Sequence, residues 1–499
     1  MQTMTDLFRA SRRAGVPLLA VETPDPAAAV AELVKALNGK REELAVIQWD
    51  IIRGPQGITE PGKDWIANAA GAADPRAVFG NPVEFLAALG NGTLPESALV
   101  FMLGANRIFG ELPPVQAVWN LRDTLKPTGA QVCLVGPLGW KLPAELAGDV
   151  LTITHALPTE QELAGALEAL IDDAQLAAKV DKDTRARAVE SLAGLSTFTA
   201  EQTAALSLSK TGLDLPGLWE RKCRTIEQTP GLSVWRGGET FAEIGGCQNV
   251  KSFLARIIAG ARRPRVILFL DEIEKALGGS TGDSSGVSQG FLGTFLSWTQ
   301  DHGATGMIFL GPAGSGKSAI AKATGAEAGI PTISFDLSGM KASLVGESEA
   351  RLRAALATVD AVGQGSCLVV ATCNSIGVLP PELRRRFALG TFFFDLPTAD
   401  ERAKIWEIFR AKYGRTDAPP QDDGWTGAEI RQCCDVADRT GLSLQEAAAY
   451  VIPISRSAGD MVDELRRQAS GRFLSASVPG TYRFEPKATA PAAGRKMEI

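Results

Sequence analysis

The 499-residue chain holds two histidines, three tyrosines and seven cysteines, with no CxxC pair. His155 and His302 stand apart and in no HExxH run, which excludes a helix-borne zinc protease centre of that type. An odd cysteine count without metal-type spacing suggests neither a disulfide framework nor a zinc finger, and leaves the cysteines as small buried hydrophobes. Long apolar runs are missing too. No stretch approaches the roughly 18 residues of a membrane span, and the run Val16 to Val21 is cut short by Glu22, so a cytoplasmic protein is expected. Positive charge is not in excess: 51 Lys and Arg face 57 Asp and Glu, a net charge of −6 that counts against a nucleic-acid partner. Hydrolytic chemistry, if present, must come from carboxylates, hydroxyls or phosphate handling.

What is present is an ordinary globular composition, 45% hydrophobic and 22% charged. At about 150 residues per domain the length predicts two to four domains. The most informative stretch runs from the apolar Met307 to Leu310, through Gly311, Pro312, Ala313, Gly314, Ser315, Gly316, Lys317, Ser318 and Ala319, into a helical pattern that stops at Gly329 and Pro331. This is a complete GxxxxGK[ST] between a strand and a helix. Glycines let successive backbone N–H groups face a phosphate without Cβ interference, and the helix start adds its positive end. Lys317 can reach β and γ phosphates, and Ser318 can ligate Mg2+.

A nucleotide hydrolase also needs a carboxylate to hold the metal and a second to polarise water. The apolar strand Val266 to Leu270 ends in Asp271 and Glu272, which would hold magnesium and activate water respectively. Taken alone, the pair reads equally well as an acidic helix start.

Three further segments resemble the ring-forming AAA ATPase family. Leu344, Val345 and Gly346, with Glu347 to Arg353, resemble its pore loop and following helix. Leu368 to Asn374 resembles its sensor strand, and Leu379 to Phe387, with Arg384, Arg385 and Arg386, resembles its arginine-finger segment. Gly424 to Ile430 resembles the start of a helix in the family's small helical lid. Within the family, the layout is most similar to an AAA protein encoded in chloroplast and cyanobacterial genomes. The resemblance implies an α/β fold, a P-loop NTPase three-layer parallel sheet with a helical lid, binding ATP and Mg2+ between subunits of a homo-oligomeric ring. It implies remodelling or threading of a macromolecular substrate, a protein by preference. It also implies that Asn374 helps hold the attacking water and that Arg386 or Arg385 reaches a neighbour's γ phosphate; as residue types alone, Asn374 reads as a turn residue and the triplet as a solvated basic face. A nucleotide-gated scaffold with little hydrolysis, or a nucleic-acid loader or helicase, stays open as an alternative.

One departure from the family stands out. The family's acidic strand follows its phosphate loop, whereas here Asp271 and Glu272 precede Lys317. A strand-plus-helix unit, residues 266–299, is therefore read as moved ahead of the phosphate-loop strand, which a parallel sheet built from crossovers permits. Smaller departures are the apolar but non-aromatic Leu344 and Val345, and the missing glycine within the arginine triplet.

Ahead of residue 225 the pattern is again α/β, with strands expected at Leu18–Val21, Ala45–Trp49, Leu99–Met102 and Val132–Val135. Leu157-Pro158-Thr159 parallels Leu396-Pro397-Thr398, and Thr199-Ala200-Glu201 parallels Gly427-Ala428-Glu429. A second copy of the same fold follows, but the loop Glu22 to Pro26 has no glycine nest and brings acids where phosphate would sit. The expected organisation is a degenerate AAA-like α/β domain over residues 1–225, serving substrate, adaptor or ring assembly without nucleotide. A linker follows over 226–240, then the permuted ATPase core over 241–397, a helical lid over 398–472 and a tail over 473–499 without regular structure. The Gly- and Ser-rich stretch 280–286 reads as a second pore-facing loop or as a plain flexible one.

Overall fold

The structure is a computed structural model that describes residues 3–37, 42–277, 287–302, 304–336, 345–377 and 381–485. The stretch 280–286, Leu344 and the last 14 residues (486–499) lie outside the described residues. The chain divides into two compact units, residues 1–222 and 223–499.

In the first unit the strands are β1 (Leu18–Glu22), β2 (Val46–Asp50), β3 (Gly54–Gly57), β4 (Leu99–Leu103), β5 (Gln131–Gly136) and β6 (Leu151–Thr154). They form one sheet in the order β3-β2-β4-β5-β1-β6, parallel except for the β3 edge. A small hairpin, β7 (Leu208–Ser209) and β8 (Gly212–Leu213), lies farther along. The second unit holds β9 (Leu232–Val234), β10 (Val266–Leu270), β11 (Thr305–Leu310), β12 (Thr332–Phe335), β13 (Cys367–Cys373), β14 (Thr391–Phe393) and β15 (Leu474–Ser475). Their order is β15-β14-β11-β13-β10-β12-β9, parallel except for the β9 edge.

Each unit is thus an α/β domain with a largely parallel sheet. Central strands covered on both faces must be apolar along their whole length, and β10 (VILFL) and β13 (CLVVATC) are buried at every position. The two sheets share one plan. From the antiparallel edge inward, β2, β4, β5, β1 and β6 occupy the slots that β12, β10, β13, β11 and β14 occupy in the second unit. The first unit fills the phosphate-loop slot (β1) before all others. The second, after its β9 edge strand, fills the acidic slot (β10) ahead of the phosphate-loop slot, which it reaches through the helix Val287–Asp301. The permuted chain order therefore leaves the pairing of neighbours intact.

The helices beside the sheets start on matching caps. Thr159 with Glu162 and Thr398 with Glu401 are capping boxes, as is Thr426 with Glu429. This explains why Leu-Pro-Thr recurs: in both units it starts a helix of the small helical part.

Two sequence expectations are corrected. Within residues 226–240, expected as a linker, β9 pairs antiparallel with β12 and closes the sheet edge; it is only three residues long, with Leu232 and Val234 buried around an exposed Ser233. Residues 473–485, expected to lack regular structure, add β15 parallel to β14. They are held by apolar and polar anchors that composition conceals: Tyr482 packs on Phe393 with ring centroids 4.4 Å apart, and its hydroxyl donates to Asp395 Oδ2 at 2.7 Å. Arg466 Nε donates to the other oxygen of the same carboxylate at 2.6 Å.

Tyr482→Phe should keep the ring packing, remove one hydrogen bond and lower stability by about 1 kcal/mol. Urea unfolding followed by tryptophan fluorescence checks this, and an unchanged midpoint would show that the tail anchor contributes nothing.

Candidate nucleotide site

Three strand ends converge on one point. The register pairs Leu270 with Ala371 and Leu310 with Cys373, so Asp271 lies beside Thr372 and the phosphate loop leaves β11 beside the end of β13. Thr372 Oγ1 donates to Asp271 Oδ1 at 2.6 Å, and Ser318 Oγ donates to the same oxygen at 3.0 Å. The Glu272 N–H donates in turn to Thr372 Oγ1 at 2.9 Å. One carboxylate oxygen thus gathers the acidic strand, the central strand and the first turn of the phosphate-loop helix. A hydroxyl and a carboxylate this close form the small oxygen set that holds Mg2+ alongside substrate phosphates. Among the described residues no cluster of three His, Cys, Asp or Glu offers an all-protein metal cage.

Glu272 sits in the left-handed region at φ 48°, costly for a residue with a Cβ and found where surrounding contacts hold it. Asn374 Nδ2 donates to Glu272 Oε1 at 3.3 Å and to Glu274 Oε1 at 2.8 Å, and Lys275 pairs with Glu272. Asn374 and Glu272, both expected at the site, are therefore in contact.

The loop itself depends on glycine. At Gly311, φ 155°, a Cβ would lie 2.1 Å from the Phe394 carbonyl oxygen; at Gly314, φ 78°, it would meet Thr426 Oγ1 at 2.8 Å and Ala428 Cβ at 3.1 Å. The start of the helix Gly427–Thr440 thus rests directly on the phosphate loop. Lys317 opens the helix Lys317–Ala328, is 6% exposed, and donates to the carbonyls of Gly311 at 2.8 Å and Pro312 at 2.7 Å. Burial lowers its pKa to about 8, only partly opposed by nearby Glu274, Asp271 and Glu272.

Asp271, Glu272, Gly314, Lys317, Ser318, Thr372 and Asn374 line a cavity of about 1060 Å³. The same cavity is also lined by Ile244, Gly245, Gly246, Ile405 and Phe409, which add apolar surface to the polar groups. Gly311 and Pro312 are not among the lining residues; Ala313 to Ala319 are. Val345 and Gly346 open the helix Val345–Gly363. Arg384, Arg385 and Arg386 end the short helix Pro381–Arg386, are exposed, and lie apart from this cavity.

Sequence reasoning assigned no role to Thr372, Glu274, Lys275, Arg431 or Ser477, all at or beside the cavity. Thr372 could have been found by aligning the ends of the two strands, and Glu274 by extending the acid pair one turn. Arg431 and Ser477 come from the lid and the tail, and no local pattern marks them.

In the first unit the corresponding loop is filled from within. Asp25 is buried, and its carboxylate accepts the Ala28 N–H at 3.1 Å and the Phe198 N–H at 3.2 Å. Those donors belong to the starts of the helices Pro26–Lys35 and Thr197–Ala205, the counterparts of the two helix starts that meet at Gly314. After β4, Gly104 leads into a short turn, with no acid pair.

Comparison with known proteins agrees with this plan. Residues 307–365 match the ATPase family associated with various cellular activities (AAA), and residues 4–155 match the SpoVK-like AAA ATPase N-terminal domain. The chain carries an AAA ATPase domain behind a SpoVK-like AAA amino-terminal domain. The AAA match ends just ahead of β13, where the family's chain order would place the acidic strand. The chain is 24% identical to the uncharacterized AAA domain-containing protein ycf46 of Trieres chinensis, over 80% of this chain and 86% of that protein. It is 20% identical to the protein of the same name from Guillardia theta, over 94% and 96%. Among solved structures, the FIGL-1 AAA domain aligns at 16% identity and a TM-score of 0.32, over 49% of this chain and 93% of that one.

The depressed Lys317 pKa fixes the sign of a stability effect. Below about pH 8 the folded AAA domain must bury a charged ammonium that the unfolded chain keeps in water, and the penalty fades between about 8 and 10.5. Without nucleotide, Lys317→Met should therefore be more stable than wild type at pH 7, and the gap should close as pH rises to 10.5. Urea midpoints across that range check it, and a gap that widens with pH would contradict it.

Proposed function

We propose that the chain binds Mg-ATP in the second unit and hydrolyses it between subunits of a homo-oligomeric ring, using turnover to remodel or thread a macromolecule, by preference a protein. The single observation that carries the reading is the meeting of Ser318, Thr372 and Asp271 beside a complete phosphate loop, despite the permuted chain order.

Bound nucleotide and its metal supply the phosphoryl group and a Lewis acid. Lys317 would turn from its loop carbonyls toward the β and γ phosphates, and Ser318 and Asp271 would hold the magnesium. Glu272, aimed by its strained backbone, would accept the proton of the attacking water, and Asn374 would orient that water. Arg386 or Arg385 of a neighbouring copy would stabilise the charge that develops on the transferred group. We read Leu344, Val345 and Gly346 as an apolar grip on the substrate, and the first unit as nucleotide-free because Asp25 occupies the phosphate position with a charge of the same sign. Among the described residues no helix is long and apolar enough to cross a membrane, and all seven cysteines are unbridged, which suits a reducing, cytoplasmic-type setting.

A nucleotide-gated scaffold with little turnover is the second reading, and one observation favours it. Glu272 is tied to both Asn374 and Lys275, so water must displace a partner before it can be activated.

Glu272→Gln should retain Mg-ATP binding while turnover falls by about a hundredfold or more. Phosphate release assayed beside fluorescent-nucleotide binding decides between the readings: turnover in wild type that the substitution abolishes supports the motor, and binding without turnover in both supports the scaffold.

A further inference from the structure

A second cavity of about 520 Å³ lies in the AAA unit, away from the phosphate loop. It is bounded by Arg384 and Arg385, by the backbone of Gly390 at the start of β14, and by Gly471, Arg472 and Thr481 around β15. Three arginines line it, and among the described residues no carboxylate lines the groove and none of the three arginines forms an ion pair. Elsewhere in the unit, Arg402, Arg415, Arg439, Arg466 and Arg467 are paired with acids.

Three like charges held around one concavity repel one another and are stable only because water screens them; an anion that enters relieves the repulsion and accepts several donors at once. Guanidinium forks match the oxygens of a phosphoryl group in particular. Arg472 is held in place by the chain on either side of it: β15 pairs with β14 immediately afterwards, and the Gly471 N–H donates to the Tyr482 carbonyl at 2.8 Å. The tail therefore delivers its arginine to a defined position beside the end of the helix Pro381–Arg386.

We propose that Arg472 joins Arg384 and Arg385 in a phosphoryl-binding site, and that the phosphoryl group is the terminal phosphate of a nucleotide bound by a second copy of this chain. The site thus extends the arginine finger into the carboxyl-terminal segment. This rests on the ATPase reading above for its occupant but not for its anion chemistry. A free polyphosphate would satisfy the same donors, and the experiment separates the two sources.

The test has two arms on the full-length chain. In the first, inorganic tripolyphosphate is titrated calorimetrically into Lys317→Ala, whose own phosphate loop is disabled, and into Lys317→Ala with Arg472→Ala. Weak, salt-sensitive binding that drops about fivefold or more on loss of Arg472 is expected; equal binding overturns the site whether or not the protein hydrolyses ATP. In the second arm, Arg472→Ala should bind Mg-ATP as wild type does but turn it over about tenfold or more slowly, with partial recovery in Arg472→Lys. Mixing Arg472→Ala with Lys317→Ala should restore turnover, since each supplies what the other lacks. Wild-type turnover in Arg472→Ala, or no recovery on mixing, overturns the nucleotide of a second copy as occupant; loss of Mg-ATP binding by Arg472→Ala overturns it as well, because the residue would then serve its own pocket.

Discussion

The AAA unit depends on one carboxylate oxygen. Asp271 Oδ1 accepts from Thr372 on the central strand and from Ser318 on the phosphate-loop helix, joining three segments far apart in sequence. Charge-assisted hydrogen bonds of this length are strong, and an acceptor at the meeting point of three strand ends fixes all of them relative to one another. Glycine at 311 and 314, the left-handed Glu272 and the buried Lys317 are all consequences of packing a phosphate loop, a lid helix and an acid pair around that point. Each is costly alone and is held by its neighbours.

The chain order shows which features of such a fold are physically required. A parallel sheet is stabilised by hydrogen bonding and packing between neighbouring strands, and chain connectivity enters only through the need for a crossover between slots. Moving the acidic strand ahead of the phosphate loop changes which crossovers are made, while β10 still lies between β12 and β13. The first unit keeps the same slots in the unpermuted order. In the loop that corresponds to the phosphate loop, its Asp25 carboxylate accepts N–H groups from the starts of two helices.

Much of this was legible in the sequence. Uninterrupted apolar strands, a phosphate loop in its strand–helix context and an acid pair after a buried strand all leave local patterns, and the four expected strands of the first unit appear within a few residues of their expected limits. Thr372 left no such pattern, because its role arises from register between strands about a hundred residues apart. The tail was misread for a related reason: Leu474, Ser475 and Tyr482 sit in a stretch of ordinary loop composition, and partners distant in sequence, Phe393, Asp395 and Asn249 among them, hold it in place. Likewise β9 is too short for periodicity to reveal. Three residues on a sheet edge are defined by their partner rather than by themselves.

The central claim is that the relocated strand completes the nucleotide site. A crystal structure of the protein with magnesium and a non-hydrolysable ATP analogue tests it most directly. The account predicts the triphosphate in the Gly311–Ser318 loop, Lys317 turned onto it, and the metal on Ser318 with Asp271 in its coordination or water shell. A metal held without Asp271, or a nucleotide bound elsewhere, would contradict it.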